Sequence, residues 1–96
     1  MVLSNVESEV LGFLLDDLEA PQSLDRNVSI ALGHAVTCSE ILTAMVRLAV
    51  AGLAQAYEYD PASNSYRAVE NECLGERRDV WFKATAVGRE FIEDVA

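Results

Sequence analysis

The chain has 96 residues, of which 51% are hydrophobic, and this is enough for one domain with a modest core. It carries 16 acidic and 7 basic residues, and its net charge of -9 disfavours binding of the whole chain to phosphate backbones or anionic lipid. Two cysteines are too few for a disulfide-rich secreted domain, and the first residues lack the basic start of a signal peptide. The longest apolar region, residues 41 to 57, contains polar residues and is too short to span a membrane. We therefore expect a soluble cytoplasmic protein without membrane contact, with residues 1 to 96 forming a single domain.

A first helix is predicted to begin after Ser4. Ser4 and Glu7 have the spacing of a capping box, in which each side chain bonds to a backbone amide at the helix start. Pro21 should end this helix, because proline disfavours helical geometry in the residue before it. Leu11 and Leu15 make its apolar side wider than one core contact requires. They could pack against the hairpin and last helix of the same chain, or against a second copy in a homodimer.

A second and a third helix follow. Residues 24 to 32 have apolar residues at four-residue steps, although Ile30 leaves a strand interpretation open, and Gly33 then supplies a stop. A second capping box at Thr37 predicts a third helix that extends to about Ala51. Its two faces differ in polarity, with Ile41, Met45, Leu48 and Ala49 on one side and Ser39, Thr43 and Arg47 on the other.

After Gly52 the hydrophobic period falls to two residues, which is typical of a strand. With this period, the side chains of residues 53 to 59 would point alternately to the two faces of a strand, and the sequence Asp60-Pro61 strongly favours a turn. Residues 65 to 69 then return as a second strand. The segment therefore predicts a β-hairpin.

The remaining residues predict a loop, a strand and a helix. Residues 70 to 79 are polar and are expected to form a loop, and residues 80 to 85 are expected to form the last strand. Thr85 can cap a last helix with an apolar stripe formed by Val87, Phe91, Ile92 and Val95. Two facing strands carry aromatic residues, namely Tyr57, Tyr59, Trp81 and Phe82. These rings could stack a ligand or bases, but at least one face of this pair of strands should belong to the core.

The order of three helices, a hairpin and a last helix resembles a winged helix-turn-helix domain. In bacterial regulators of the MarR and PadR type, the third helix commonly ends in a leucine-rich turn with a glycine and enters the wing, and residues 48 to 57, LAVAGLAQAY, are similar. Those families often close the wing with Leu-Thr, two variable residues and Gly-Arg, which residues 84 to 89, ATAVGR, resemble. The resemblance implies an α+β fold with a three-helix core, a β-hairpin wing and a C-terminal helix.

The resemblance also implies a transcriptional regulator that binds double-stranded DNA. The outer face of the third helix would enter the major groove, and the wing would hold phosphates. The residues expected to contact DNA are Ser39, Thr43 and Arg47 on the helix, with Glu40 and Ala44 beside them, and Arg67, Arg77 and Arg78 on the wing. The alternative is the same fold used for protein contacts without nucleic acid, including a homodimer through Leu11, Leu15 and the C-terminal helix.

Signals for catalysis or metal binding are weak. His34 and Cys38 are four residues apart, but a helix start is predicted between them, and a structural zinc site usually has four ligands. Cys38 is better explained as a small buried residue, and Cys73 has no adjacent histidine that would activate its thiol. The single histidine has no serine or cysteine at a recognised catalytic spacing. We expect neither an enzyme nor a bound metal or cofactor.

Overall fold

The computed structural model describes residues 2–74, 77 and 79–95 of the chain. This part has an α+β fold with four α-helices, a short 3-10 helix and a three-stranded antiparallel sheet. None of its helices is long and apolar enough to cross a membrane. The elements in chain order are α1 (Asn5–Leu14), α2 (Pro21–Leu32), α3 (Cys38–Val50), β1 (Ala54–Asp60), β2 (Ser65–Val69), the 3-10 helix (Asn71–Cys73), β3 (Trp81–Ala84) and α4 (Ala86–Val95).

The start of α1 was predicted correctly, but its end was not. The Ser4 hydroxyl accepts from the Glu7 amide at 3.1 Å, and the Glu7 carboxylate accepts from the Ser4 amide at 2.8 Å, which confirms the capping box. The helix ends at Leu14, well before Pro21, and Pro21 instead occupies the first turn of α2. Proline suits that position because the first helical amides have no partner within the helix.

The turns on both sides of α3 agree with the sequence-based prediction. Ile30 lies within α2, so the strand interpretation of that segment is wrong. α2 ends at Leu32 with Gly33 as its C-cap, and the capping box of Thr37 and Glu40 is present at the start of α3. Gly52 follows α3 with a φ of 81°, a backbone conformation that glycine adopts without steric cost. The chain can therefore reverse there and enter β1.

The sheet has the strand order β2-β1-β3, so β1 is central. Its two faces differ because side chains alternate along each strand. One face lies on the helices and buries Ala54, Ala56, Val69 and Phe82. The opposite face, called the outer face below, carries Gln55, Tyr57, Tyr59, Tyr66, Ala68, Trp81 and Lys83.

The core joins the helices to the inner side of the sheet and includes Leu11, which is 0% exposed. This position corrects the prediction that Leu11 offers a homodimer contact, because no part of its side chain is accessible to a second copy. Leu15 is half-buried. The structure instead shows that Leu11, on the wide apolar side of α1, is buried within the same chain.

The last helix lies close to the turn after α3. The Thr85 hydroxyl donates to the Gly52 carbonyl at 2.7 Å and accepts from the Gly88 amide at 3.0 Å, which confirms Thr85 as the cap of α4. Of the predicted apolar stripe, Phe91 and Ile92 pack against the core. Val87 is instead 58% exposed, which corrects its assignment to the stripe, and the Val95 side chain lies outside the described part.

Candidate interaction surfaces

The polar face of α3 is exposed as predicted. Ser39, Thr43 and Arg47 all face solvent, whereas Ile41 is fully buried on the opposite side. These three polar residues recur at four-residue steps, so the helical repeat places them along one face. Ala44, expected beside them, is only 4% exposed and belongs to the core.

A cleft of about 390 Å³ lies beside this face, between the start of α1 and α3. Two carboxylates line it, those of Glu7 and Glu40. The Arg47 guanidinium lies 3.5 Å from the Glu7 carboxylate; Arg47 has a 72% exposed side chain and Glu7 a 9% exposed one. Arg47, the arginine that lines this cleft in the described part of the chain, is therefore already paired with a carboxylate.

The arginines near the hairpin form a second group around Glu58. Arg67, opposite Glu58 in the β1–β2 register, donates to its carboxylate at 2.7 Å, and Arg77 donates to the other oxygen at 3.0 Å. Arg77 also donates two bonds of 2.9 Å to Asp79. Arg78 lies outside the described residues. The two described arginines are thus balanced by two carboxylates.

The ionisation of this cluster reflects the same contacts. Hydrogen bonds from Arg77 and then Arg67 lower the pKa of Glu58, and the bonds from Arg77 lower the pKa of Asp79. Bonds to Asp79 and Glu58 raise the pKa of Arg77. At neutral pH all these groups are charged and satisfy one another, which reduces the positive field they offer to a phosphate.

Replacing Arg77 with alanine should raise the pKa of Glu58 towards its ordinary value near 4.5, because the largest cause of the lowering is removed. In the wild-type protein, the contribution of the Glu58 contacts to the free energy of unfolding is complete at pH values above that ordinary pKa. It is lost as the pH falls through the lowered pKa of Glu58. NMR titration of the carboxyl groups measures the midpoint of Glu58 protonation. Arg47→Ala is the control, since Arg47 pairs with Glu7. An unchanged Glu58 midpoint in Arg77→Ala would contradict the assigned contacts.

The outer face of the sheet carries an aromatic cluster. The Tyr59 and Tyr66 rings have centroids 5.3 Å apart at 59°, and the Tyr66 and Trp81 rings are 5.5 Å apart at 73°. These tilted and edge-to-face contacts are favourable arrangements for aromatic rings. Tyr59 and Tyr66 remain 41% and 45% exposed. Of the aromatic residues singled out in the sequence, Phe82 belongs to the core, while Trp81 and Tyr59 lie on this outer face.

The sequence-predicted site residues therefore fall into two groups, one on α3 and one around the hairpin. Sequence reasoning missed their carboxylate partners Glu7, Glu58 and Asp79, and it missed Tyr66. The turn at Asp60 gave one usable signal, because pairing the strands from there places Glu58 opposite Arg67. Glu7 had already been assigned to the capping box, and nothing local indicated that it would also reach Arg47.

Cysteine and histidine positions add no further site. Cys38 is half-buried, Cys73 is exposed and both thiols are free, while His34 is exposed. Among the residues that the structure describes, no three histidine, cysteine, aspartate or glutamate side chains are grouped to hold a metal ion. Comparison with protein-family models, curated proteins and solved structures gives no match for this chain.

Proposed function

We propose that this chain is a winged-helix-like domain that acts through contact with another protein, using the outer face of its sheet. The helix, hairpin and helix order supports the winged-helix layout, with β1 and β2 as the wing. The observation that carries the function is the contrast between two surfaces: the described candidate arginines are paired with carboxylates, whereas the aromatic rings Tyr59 and Tyr66 are accessible. Tyrosine and tryptophan are enriched where proteins contact one another.

Duplex DNA is the second candidate ligand. It is favoured by the alignment of Ser39, Thr43 and Arg47 on the exposed face of α3, where Arg47 keeps most of its side chain in solvent. Opening the Arg47–Glu7 pair would, however, leave without its cation a carboxylate whose side chain is only 9% exposed, and this is costly. DNA phosphates would have to displace Glu7, Glu58 and Asp79 in a chain of net charge -9.

The two functions are separated by testing both ligands with the same variants. Partner proteins are captured from the source cells by crosslinking to the purified chain, and binding of random duplex DNA is measured as salt is raised. We expect specific partners that are lost in Tyr66→Ala/Trp81→Ala and retained in Ile30→Ala, which truncates another exposed apolar residue. We expect no duplex binding even at about 50 mM salt, where phosphate contacts are strong.

The opposite pattern would favour the regulator. Salt-sensitive duplex binding that weakens in Arg47→Ala or Arg67→Ala, together with partner capture unaffected by the aromatic changes, would overturn the protein-contact function. Circular dichroism of both arginine variants checks that the fold is retained, because Arg47→Ala also removes the cation beside the Glu7 carboxylate, whose side chain is 9% exposed.

A further inference from the structure

The outer face also carries a cleft, at the end of the β1–β2 pair away from Tyr59 and Tyr66. Gln55 and Ala68, both on the outer face, line this cleft of about 290 Å³ together with Val69 and the residues that follow β2. Two of the residues that line it, Glu70 and Glu72, are exposed and carry carboxylates. The outer face thus offers aromatic rings at one end and acidic groups at the other.

Positive charge is sparse on the same surface. Arg67 points to the opposite side of β2 from Tyr66, because neighbouring residues alternate along a strand, and it is paired with Glu58. Lys83, at the β3 side, is the basic residue among the outer-face positions that the structure describes. The chain as a whole has a net charge of -9. A basic partner is therefore attracted at long range, and another copy of this acidic chain is repelled.

We infer that the outer face docks an extended, basic segment of a partner protein, an inference that rests on the proposed protein-contact function. Arginine or lysine side chains would lie over the rings of Tyr59, Tyr66 and Trp81, since a cation is attracted to the face of an aromatic ring. Other basic side chains of the same segment would reach Glu70 and Glu72. Tyr59 and Tyr66 lie next to the hairpin turn and the two glutamates follow the other end of β2, so a single segment that contacts both has to run along the sheet.

The test uses Trp81, the single tryptophan of the chain, as a reporter located in the site. A short peptide of alternating arginine and serine is titrated into the purified protein while Trp81 emission is followed, with calorimetry as an independent measurement. The matched probe has citrulline in place of arginine, which keeps the shape and removes the charge. We expect saturable binding of the arginine peptide and much weaker binding of the citrulline peptide.

Substitutions on and away from the outer face test where the arginine peptide binds. Tyr66→Ala should weaken the arginine peptide about two- to fivefold, the expected contribution of one exposed cation–ring contact. Glu70→Gln/Glu72→Gln should weaken it and reduce its salt dependence. Ile30→Ala and Arg47→Ala, which lie on α2 and α3, should leave the affinity unchanged.

Several outcomes would overturn the inference. Equal affinity for the citrulline peptide would show that charge is not recognised, and preferential binding of a proline-rich peptide, a single-stranded oligonucleotide or a second copy of the chain would identify a different occupant. If no basic peptide binds but partner capture still requires Tyr66 and Trp81, the basic segment is wrong and the protein-contact function stands. If no basic peptide binds and no partner capture requires Tyr66 and Trp81, both proposals fail.

Discussion

Replacing Gly88 with alanine should destabilise the fold by about 3 kcal/mol, at the upper end of the usual cost of overpacking. A Cβ at this position would lie 2.0 Å from the carbonyl oxygen of Leu53 and 2.9 Å from its carbonyl carbon. Both atoms belong to the backbone, so no side chain can rotate away. α4 would have to move outward, and the 2.7 Å bond from Thr85 to Gly52 would be strained or lost. Urea unfolding followed by circular dichroism measures the change.

The chain contains a matched control for this substitution. Gly12 also lies within a helix, α1, but a Cβ there would have Ile92 Cδ1 as its nearest neighbour beyond its own helix, at 4.0 Å. Gly12→Ala should therefore stabilise the protein by about 0.5 to 1 kcal/mol, the usual gain from replacing glycine in a helix. The same chemical change is thus expected to have opposite signs at two helical positions. Equal effects at Gly12 and Gly88 would show that helix propensity, rather than the approach of α4 to Leu53, determines the result.

The close approach of Gly88 to Leu53 is one of several contacts that the segment from Thr85 to Arg89 makes with the rest of the chain. Thr85 joins the start of α4 to the turn after α3, and Gly88 allows the helix to approach Leu53. Arg89 donates to the Leu15 carbonyl at 2.7 Å, at the end of α1, where a carbonyl has no helical partner. This segment therefore joins α4, the turn after α3 and the end of α1, which are distant in sequence, and its contacts stabilise the fold.

Local chemistry in the sequence predicted much of the fold because it acts over a few residues. The capping boxes at Ser4 and Thr37 and the reversal at Gly52 depend on neighbours within one turn, and all three are present. The early end of α1 at Leu14 was not predictable in the same way. The segment after it forms an antiparallel bridge between Glu19 and Phe82, whose partner lies far along the chain.

The candidate site shows the same division between local and distant information. Helical spacing was sufficient to place Ser39, Thr43 and Arg47 on one exposed face of α3. It could not show that Glu7, from another helix, would approach Arg47, because that contact depends on how α1 packs against α3. A count of charges along the chain therefore leaves open which basic side chains are neutralised, and the folded arrangement is needed to identify them.

Replacing Leu11 with alanine should destabilise the folded chain by about 3 kcal/mol, within the range for buried leucines. Leu11 is 0% exposed and packs in the core with helices and sheet, so the change removes buried apolar surface and leaves a cavity. Leu15→Ala is the matched control one turn later; its half-buried side chain should cost clearly less. Chemical unfolding measures both variants.

Sedimentation of the same two variants tests the remaining homodimer hypothesis. If α1 served a homodimer through Leu11, the alanine variant would change the association state while the unfolding free energy of the monomer stayed near that of the wild type. Complete burial of Leu11 requires the reverse: a loss of stability at every protein concentration, with no shift in sedimentation attributable to Leu11. A shift seen only with Leu15→Ala would assign any self-association to the half-exposed end of α1, because that side chain retains surface that a second copy could cover.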